Sequence, residues 1–284
     1  MTRKTRRSRR VAAPFPWFGG KARLMRRLIP HIPNHVRYVS VFGGSGSDIF
    51  NKPRSVEEVF NDLHRDIVNF YRVLRDGKAR RKLGFMVQNT PHSRQQYAEC
   101  LKILQSQSGD PLTRAWAFLT ASNSGFSGGD PAIATSGGFR ISCNRRNWDS
   151  CVHHIERVAR RFRTVVLEHQ AWQDILQRYE SADTFFYLDP PYLPSTRRNR
   201  RLYSHEMTEQ HHVELLERLQ LIQGTAMVSG YRSNLYERYF ADWRCLEFDV
   251  RCTVSGRSSD RTEVIWMNYH KDGTHLSINK GTKE

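Results

Sequence analysis

The chain has 284 residues, enough for one large domain or for one domain with an insertion. It carries 45 Lys and Arg against 28 Asp and Glu, and this net charge of +17 favours a polyanionic partner such as nucleic acid. No apolar run approaches the length of a membrane span, so no membrane partner is expected. The five cysteines form no C-x-x-C pair, which argues against a structural metal and indicates reduced thiols in the cytoplasm.

The positive charge is concentrated in two segments. Residues 1–10 hold six Lys or Arg and no acid, and we interpret them as a basic, disordered tail that contacts phosphates. Residues 77–162 hold 13 basic and 5 acidic residues, whereas residues 163–284 hold 16 and 17. The tail and the middle segment are therefore the predicted nucleic-acid-binding parts of the chain.

The first part after the tail is predicted to alternate between helix and strand. A rigid loop with two glycines at 14–21 precedes a short helix, and a strand runs into the cluster Gly43-Gly44-Ser45-Gly46. The predicted elements are a helix at 22–29, strands at 36–42 and 56–60, and a helix from about 66 to 75 that ends at Gly77.

The alternation stops at residues 77–162 and then returns. This middle segment, with its Gly/Ser-rich stretch at 122–138, is predicted to be an insertion. The remaining predicted elements are strands at 164–167, 185–188 and 226–229, helices at 171–179 and 208–222, and a hairpin of strands 246–254 and 264–269 with its turn near Gly256. The pattern indicates an α/β fold with a largely parallel sheet and an antiparallel C-terminal hairpin. Residues 11–76 and 163–284 would form this α/β domain.

The sequence Asp189-Pro190-Pro191-Tyr192 follows the apolar run 185–188 directly. Neither proline can donate to a sheet ladder, so the strand must end there in a stiff extended segment. Asp189 and the Pro190 carbonyl offer acceptors and Tyr192 offers a ring face, which suits a flat molecule with an exocyclic amino group, such as a nucleobase. An ordinary strand-ending turn is the alternative interpretation.

The glycine cluster and Asp62 indicate a cofactor site at the same edge of the sheet. Asp62 ends the next strand 19 residues after Gly43, close to the spacing at which an acidic residue reaches ribose hydroxyls. No G-x-G-x-x-G and no basic phosphate anchor are present, so the predicted cofactor has a ribose but no pyrophosphate. S-adenosylmethionine meets this description, and Lys21 could pair with its carboxylate. A tight turn and a charge at a helix N-terminus are the alternative roles for the glycines and for Asp62.

With these motifs the chain resembles the Dam-like DNA adenine-N6 methyltransferases of the D12 class over nearly its whole length outside the tail. The order of the motifs, with the cofactor segments before the insertion and the catalytic tetrapeptide after it, is also similar. The segments that carry the resemblance are Trp17-Phe18-Gly19-Gly20-Lys21, the loop at 43–46, Asn61-Asp62-Leu63, Phe126-Ser127-Gly128 with Gly137-Gly138-Phe139, Asp189-Pro190-Pro191-Tyr192 and Ser229-Gly230-Tyr231.

The resemblance implies that residues 11–76 and 163–284 form a catalytic domain with a Rossmann-like methyltransferase sheet, and that residues 77–162 are a mainly helical target-recognition insertion. The protein would act on double-stranded DNA as a monomer. Residues 189–192 would hold a flipped adenine. The residues implied in S-adenosylmethionine binding are Trp17, Gly20, Lys21, Phe42, Gly43, Gly44, Gly46 and Asp62. The arginines expected to contact DNA are Arg140, Arg145 and Arg146 in the insertion and Arg197, Arg198, Arg200 and Arg201 after the catalytic segment, where a solvated charged loop is the alternative.

One departure from the family pattern keeps other functions open. The family usually has Glu-Pro before the Phe of the glycine loop, whereas this chain has Ser40-Val41 before Phe42. A non-catalytic DNA-binding relative is therefore one alternative. The other is methylation of cytosine N4, because that amino group presents the same chemical problem.

Overall fold

The computed structural model describes residues 11–106, 109–126, 130–131, 133, 138–141, 145–196, 203–254 and 257–276. For residues 145–153, 251–254 and 257–260 it describes the backbone alone. Several predictions made from the sequence lie outside the described residues: the basic tail at 1–10, the turn at Gly256, and Arg197, Arg198, Arg200 and Arg201.

A mixed sheet of seven strands forms the centre of the described chain. In spatial order the strands are β3-β2-β1-β4-β5-β7-β6. The first five are parallel to one another, and β7 is antiparallel to both of its neighbours, β5 and β6. Their bounds are β1 Arg37–Ser40, β2 Glu57–Asn61, β3 Val166–Glu168, β4 Thr184–Leu188, β5 Thr225–Gly230, β6 Arg244–Val254 and β7 Arg257–Met267. The predicted α/β class, with a largely parallel sheet and an antiparallel hairpin at its end, is confirmed.

Helices cover both faces of this sheet. Among the described residues, no helix is both long and apolar enough to cross a membrane. The helices are α1 Ala22–Leu28, α2 Ser47–Asn51, α3 Arg65–Arg75, α4 Gly77–Gln88, α5 Arg94–Gln105, α6 Pro111–Ser124, α7 Arg145–Phe162, α8 Trp172–Arg178, α9 Glu209–Leu219 and α10 Asn234–Tyr239.

Two hydrophobic cores lie on opposite faces of the sheet. Alternate residues of β4 point to opposite faces, so Phe185 enters one core and Phe186 enters the other, and both are fully buried. Helices α3 to α7 pack on the Phe185 side, and helices α8 to α10 pack on the Phe186 side. The continuous apolar sequence of β4 is thus explained, because a strand covered on both faces needs no polar alternation.

The order of the strands sets the position of the site. From β1 the chain runs outward to β2 and β3, and it then returns to β4 on the other side of β1. In such a sheet the crevice outside the carboxyl ends of the two strands at the reversal is the place where ligands bind. Phe42 follows β1 here and Asp189 follows β4, so the structure brings together two segments that are far apart in the sequence.

Residues 77–162 contribute α4 to α7 and, within the part that the structure describes, no strand. These helices share the Phe185 core with the sheet. The prediction that Gly77 ends α3 is wrong: Gly77 is the first residue of α4, because the Asp76 side chain accepts hydrogen bonds from the backbone N–H groups of Lys78 and Ala79. The sequence interpretation also missed the short helices α2 and α10.

A buried ion pair joins the insertion to the sheet-flanking helix α3. Arg114 of α6 and Asp66 of α3 form two hydrogen bonds of 2.8 Å, and both side chains are buried. Arg114 also donates to the carbonyl groups of Ile103, Leu104 and Ser106. If the Asp66 carboxylate were removed, water could not replace it beside the buried Arg114 guanidinium.

We expect Asp66→Asn to lower the free energy of unfolding by about 3–5 kcal/mol, because it removes the buried carboxylate that forms two hydrogen bonds with Arg114. Urea denaturation measures this change. Glu156→Gln is the control, since Glu156 pairs with Arg80 at the surface and such pairs contribute at most about 1 kcal/mol. A loss at Asp66 no larger than the loss at Glu156 would contradict the role of the buried pair.

Candidate active site

The segment Asp189-Pro190-Pro191-Tyr192, the DPPY segment, begins where β4 ends. The strand stops there because the prolines cannot continue its hydrogen-bond ladder. The end of the neighbouring strand β5 supports the carboxylate, since Ser229 Oγ donates a hydrogen bond of 2.8 Å to Asp189 Oδ1. Asp189 is thus fixed from two adjacent strands.

Lys21 lies between two carboxylates at this point. Its Nζ is 3.1 Å from Asp189 Oδ1 and 3.2 Å from Glu263 Oε1, and it also donates to the Gly19 carbonyl at 3.0 Å. The Tyr192 hydroxyl donates to Glu263 and lies 3.2 Å from Asp189 Oδ1. The Lys21 ammonium is 4.9 Å from the centroid of the Tyr192 ring, a cation–π distance.

The charges of this cluster follow from burial and from mutual attraction. Burial opposes the charged form of Lys21, but Asp189 and Glu263 outweigh it and raise the pKa of Lys21 well above its usual value. Burial raises the pKa of Glu263, an effect that Lys21 opposes, and burial with the neighbouring carboxylates raises the pKa of Tyr192. At neutral pH Lys21 is therefore charged and Tyr192 keeps its proton.

Asp62 is held at the end of β2 by the backbone of the glycine cluster. Its Oδ2 accepts the N–H of Gly44 and its Oδ1 accepts the N–H of His64, both at 2.7 Å. Burial raises the pKa of Asp62, and these two hydrogen bonds counteract the effect. Asp62 is thus a fixed carboxylate whose remaining lone pairs can accept further hydrogen bonds.

Packing and backbone conformation explain the glycines of the loop after β1. A Cβ at Gly43 would lie 2.2 Å from the Phe60 ring, and one at Gly44 would lie 2.9 Å from the Trp17 ring. Gly44 and Gly46 also have positive φ angles of 53° and 69°. Trp17 therefore lies directly over the loop, as the predicted joint role of the two segments requires.

A cavity of about 410 Å³ lies between the end of β2 and the end of β4. Asp62 and Asp189 both line it, so the carboxyl ends of β2 and β4 open into the same space. Its other lining residues include Trp17, Phe42, Asn61, Trp172 and Pro191, together with residues 203–207. The volume lies within the usual range for small-molecule and cofactor sites.

A contact from the insertion closes one wall of this cavity. His64 Nε2 lies 3.0 Å from Asp130 Oδ1, and the Ser204 backbone N–H and hydroxyl both donate to Asp130 Oδ2. Burial lowers the pKa of His64, but the hydrogen bond and the charge of Asp130 outweigh it, and the net shift is upward. Asp130 thus links the insertion both to the β2 end and to the loop after the DPPY segment.

Ser40, at the end of β1, is fully buried, and neither its hydroxyl nor that of Tyr187 on the neighbouring strand forms a hydrogen bond of standard geometry. A carboxylate nevertheless lies nearby, because Asp48 of α2 is buried on the same face and accepts a hydrogen bond of 3.1 Å from the Tyr38 hydroxyl. Burial raises the pKa of Asp48, and the Ser40 hydroxyl is close enough to counteract this shift. The carboxylate of Asp48 on α2 therefore lies close to position 40, where the family usually has an acidic residue.

The predicted DNA-contacting arginines are described only in part. Arg140 is half-buried, and its Nη2 donates to the Asn123 carbonyl at 2.9 Å, so it braces the end of α6. Arg145 and Arg146 begin α7, where the structure describes the backbone alone. Their DNA contacts stay predictions, as do those of the four arginines between 197 and 201.

The predicted cofactor residues do not all meet in one place. Trp17, Phe42 and Asp62 line the cavity. Gly20 donates its N–H to the Trp17 carbonyl, which fixes the loop, and Lys21 contacts the DPPY segment.

Glu263 was missed in the sequence, although a signal was present. It directly precedes the apolar run Val264-Ile265-Trp266-Met267, and β7 lies inside the sheet between β5 and β6. An acidic residue in a strand that is buried on both faces is rare unless it is paired. An ion pair between Glu263 and a cation could therefore have been predicted from its place in the apolar strand.

Comparisons with known proteins agree with this geometry. The family described as D12 class N6 adenine-specific DNA methyltransferase matches residues 17–248. The chain is 28% identical over 115 residues to the DNA N-6-adenine-methyltransferase of Escherichia phage P1, an alignment that covers 40% of this chain and 15% of the phage protein. It is 27% identical over 196 residues to the DNA adenine methylase of Vibrio cholerae serotype O1, with 66% of this chain and 68% of the relative covered.

A third relative is the Type II methyltransferase M.CviBI of Paramecium bursaria Chlorella virus NC1A. It is 23% identical over 181 residues, which are 62% of this chain and 67% of the viral protein. The family match spans the cavity, the insertion and the DPPY segment together. The chain therefore belongs to the D12 class of N6 adenine-specific DNA methyltransferases.

Proposed function

We propose that this protein transfers a methyl group from S-adenosylmethionine to N6 of an adenine flipped out of double-stranded DNA. The observation that carries the proposal is the position of the DPPY segment, which opens at the sheet reversal into the same cavity as Asp62. We further propose a Rossmann-like catalytic domain with residues 77–162 as its target-recognition insertion. It would act as a monomer in the cytoplasm of a bacterial or phage-infected cell, because its DNA substrate is found there.

The residues around the cavity fit S-adenosylmethionine. The carboxylate of Asp62 can accept hydrogen bonds from ribose hydroxyls, and Trp17 and Phe42 supply aromatic surface beside it. The buried hydroxyls of Ser40 and Tyr187 lie near the ends of β1 and β4, and the buried carboxylate of Asp48 lies on α2. Lys21 could pair with the carboxylate of the cofactor in exchange for one of its present partners.

When bound, this cofactor supplies an electrophilic methyl group. The chain's own residues must then make the target nitrogen nucleophilic, because the lone pair of an aromatic amine is delocalised into the ring. Asp189 and the Pro190 carbonyl can accept the two amino hydrogens and so favour a tetrahedral nitrogen with a localised lone pair. Preorganised polar groups of this kind typically contribute about 2.7–4 kcal/mol at the transition state.

The adenine must leave the double helix to reach this segment. Flipping costs a few kcal/mol, and stacking on an aromatic or apolar side chain recovers part of it. Pro191 lines the cavity beside Asp189, and Tyr192 follows it. Phosphate contacts from the basic residues of the insertion would hold the DNA backbone while the base is extruded.

We expect the purified protein to place label from methyl-labelled S-adenosylmethionine in N6-methyl-2′-deoxyadenosine when DNA is incubated with it and then digested to nucleosides. Chromatography of the nucleosides measures the outcome. Label in N4-methyl-2′-deoxycytidine would instead support the cytosine alternative. Absence of label, together with no heat of binding for the cofactor in calorimetry, would support a non-catalytic DNA-binding protein.

Asp189→Ala is expected to abolish detectable transfer, a fall of at least about 10²–10³-fold, because it removes an acceptor for the target amino group. DNA affinity should change little, since phosphate contacts supply most of it. The matched control is Asp183→Ala, an exposed aspartate just before the other end of β4, which should keep its activity. A large loss of DNA binding in Asp189→Ala would contradict the assigned role.

A further inference from the structure

We propose that Glu263 is a positioning residue of the target-base site, which shares the Lys21 ammonium with Asp189 and holds the Tyr192 hydroxyl. The inference rests on the proposed methyl transfer and extends it to a strand outside the DPPY segment. Glu263 lies on β7, which joins the sheet next to β5, and its side chain is 3% exposed. It reaches the site from the far side of the strand that carries Ser229.

Three side chains contact the same oxygen of Asp189. Lys21 at 3.1 Å, Ser229 at 2.8 Å and Tyr192 at 3.2 Å all lie against Oδ1. Among the described residues none forms a hydrogen bond or ion pair with Oδ2 of Asp189, and the residue lines the cavity. One oxygen is thus used to fix the carboxylate, and the other is left to accept a hydrogen bond from a target amino group.

Glu263 also sets the balance of charge around Lys21. When all three groups are ionised, Lys21, Asp189 and Glu263 carry one positive and two negative charges, a net charge of −1. Without Glu263, Lys21 would pair with Asp189 alone and offset its charge at close range. Asp189 would then be a weaker acceptor, because the positive charge beside it reduces the attraction of its oxygens for a donor hydrogen.

The proposed reaction creates a positive charge on the target nitrogen. The N6 lone pair forms the new C–N bond while the C–S bond breaks and its electron pair stays on sulfur. N6 becomes positive in this process and afterwards loses one proton to solvent. A pocket with a net negative charge stabilises that developing charge, whereas a neutral Lys21–Asp189 pair stabilises it less.

The Tyr192 hydroxyl connects the same glutamate to the ring that follows the prolines. It donates to Glu263, while the Tyr231 ring packs edge-on against Tyr192 with the centroids 4.6 Å apart. The tyrosine ring therefore has fixed contacts at its hydroxyl and at its side. Glu263 thus sets the position of the ring as well as that of Lys21.

We expect Glu263→Gln to slow single-turnover methyl transfer on the order of 10²-fold at saturating DNA and cofactor, because a small misplacement at a reacting centre has an effect of this size. DNA affinity and cofactor affinity should change little. The matched control is Glu247→Gln, which removes a half-exposed carboxylate of the neighbouring strand β6 that pairs with Arg232. A wild-type rate in Glu263→Gln would overturn the proposal.

A second measurement separates positioning from mere support of the fold. Competitive acylation with acetic anhydride, read for each lysine by mass spectrometry, should show faster labelling of Lys21 in Glu263→Gln and no change at the exposed Lys78. A slower enzyme in which Lys21 is as protected as in the wild type would overturn the shared-lysine role. If the wild type transfers no methyl group, the proposed function fails, and the labelling still tests the contact between Lys21 and Glu263.

Should melting curves show that Glu263→Gln does not fold, Glu263→Asp replaces it in both measurements. This variant keeps the charge and shortens the side chain. We expect it to transfer methyl groups more slowly than the wild type, because the contact with Tyr192 is lost. Wild-type transfer together with wild-type protection of Lys21 in this variant would overturn the proposal.

Discussion

The Lys21 ammonium between Asp189 and Glu263 is the interaction on which the geometry of the site depends. It joins the loop before α1 to the end of β4 and to the interior of β7. Charged groups in a buried place are costly, and such clusters are weak evidence for stability. Their arrangement is better explained by function, because the contacts on Asp189 all fall on Oδ1 and leave Oδ2 for a further donor.

The sheet order turns this cluster into one half of a two-part site. Because β1 and β4 are neighbours at the reversal, the glycine loop and the DPPY segment open into the same crevice. Asp62 serves the other half, where it holds the backbone of Gly44 and still faces the cavity. The bond from Asp130 to His64 and Ser204 shows that the insertion also forms part of the wall. Residues on both sides of the cavity therefore share a contact with Asp130.

Much of this could be predicted from the sequence, for identifiable physical reasons. The strand end at Asp189 was predictable because the apolar run 185–188 stops there at prolines that cannot continue a strand. The helix α9 was predictable from Thr208, whose side chain caps it in the structure. In contrast, Gly77 was misjudged because Asp76 forms a cap for the following helix, and a local glycine signal cannot reveal that competition.

The contacts of Lys21 and Glu263 show where such reasoning stops. Lys21 was expected to meet a cofactor carboxylate, and its partners in the structure are carboxylates of the protein itself. The two expectations agree if Lys21 exchanges one protein carboxylate for another when ligand enters. Pairwise patterns in a sequence cannot show this, since the partners lie 168 and 242 residues further along the chain. An exchange of this kind would release charge on Asp189 only when the cofactor is in place, and so couple cofactor binding to the strength of the acceptor that the target base meets.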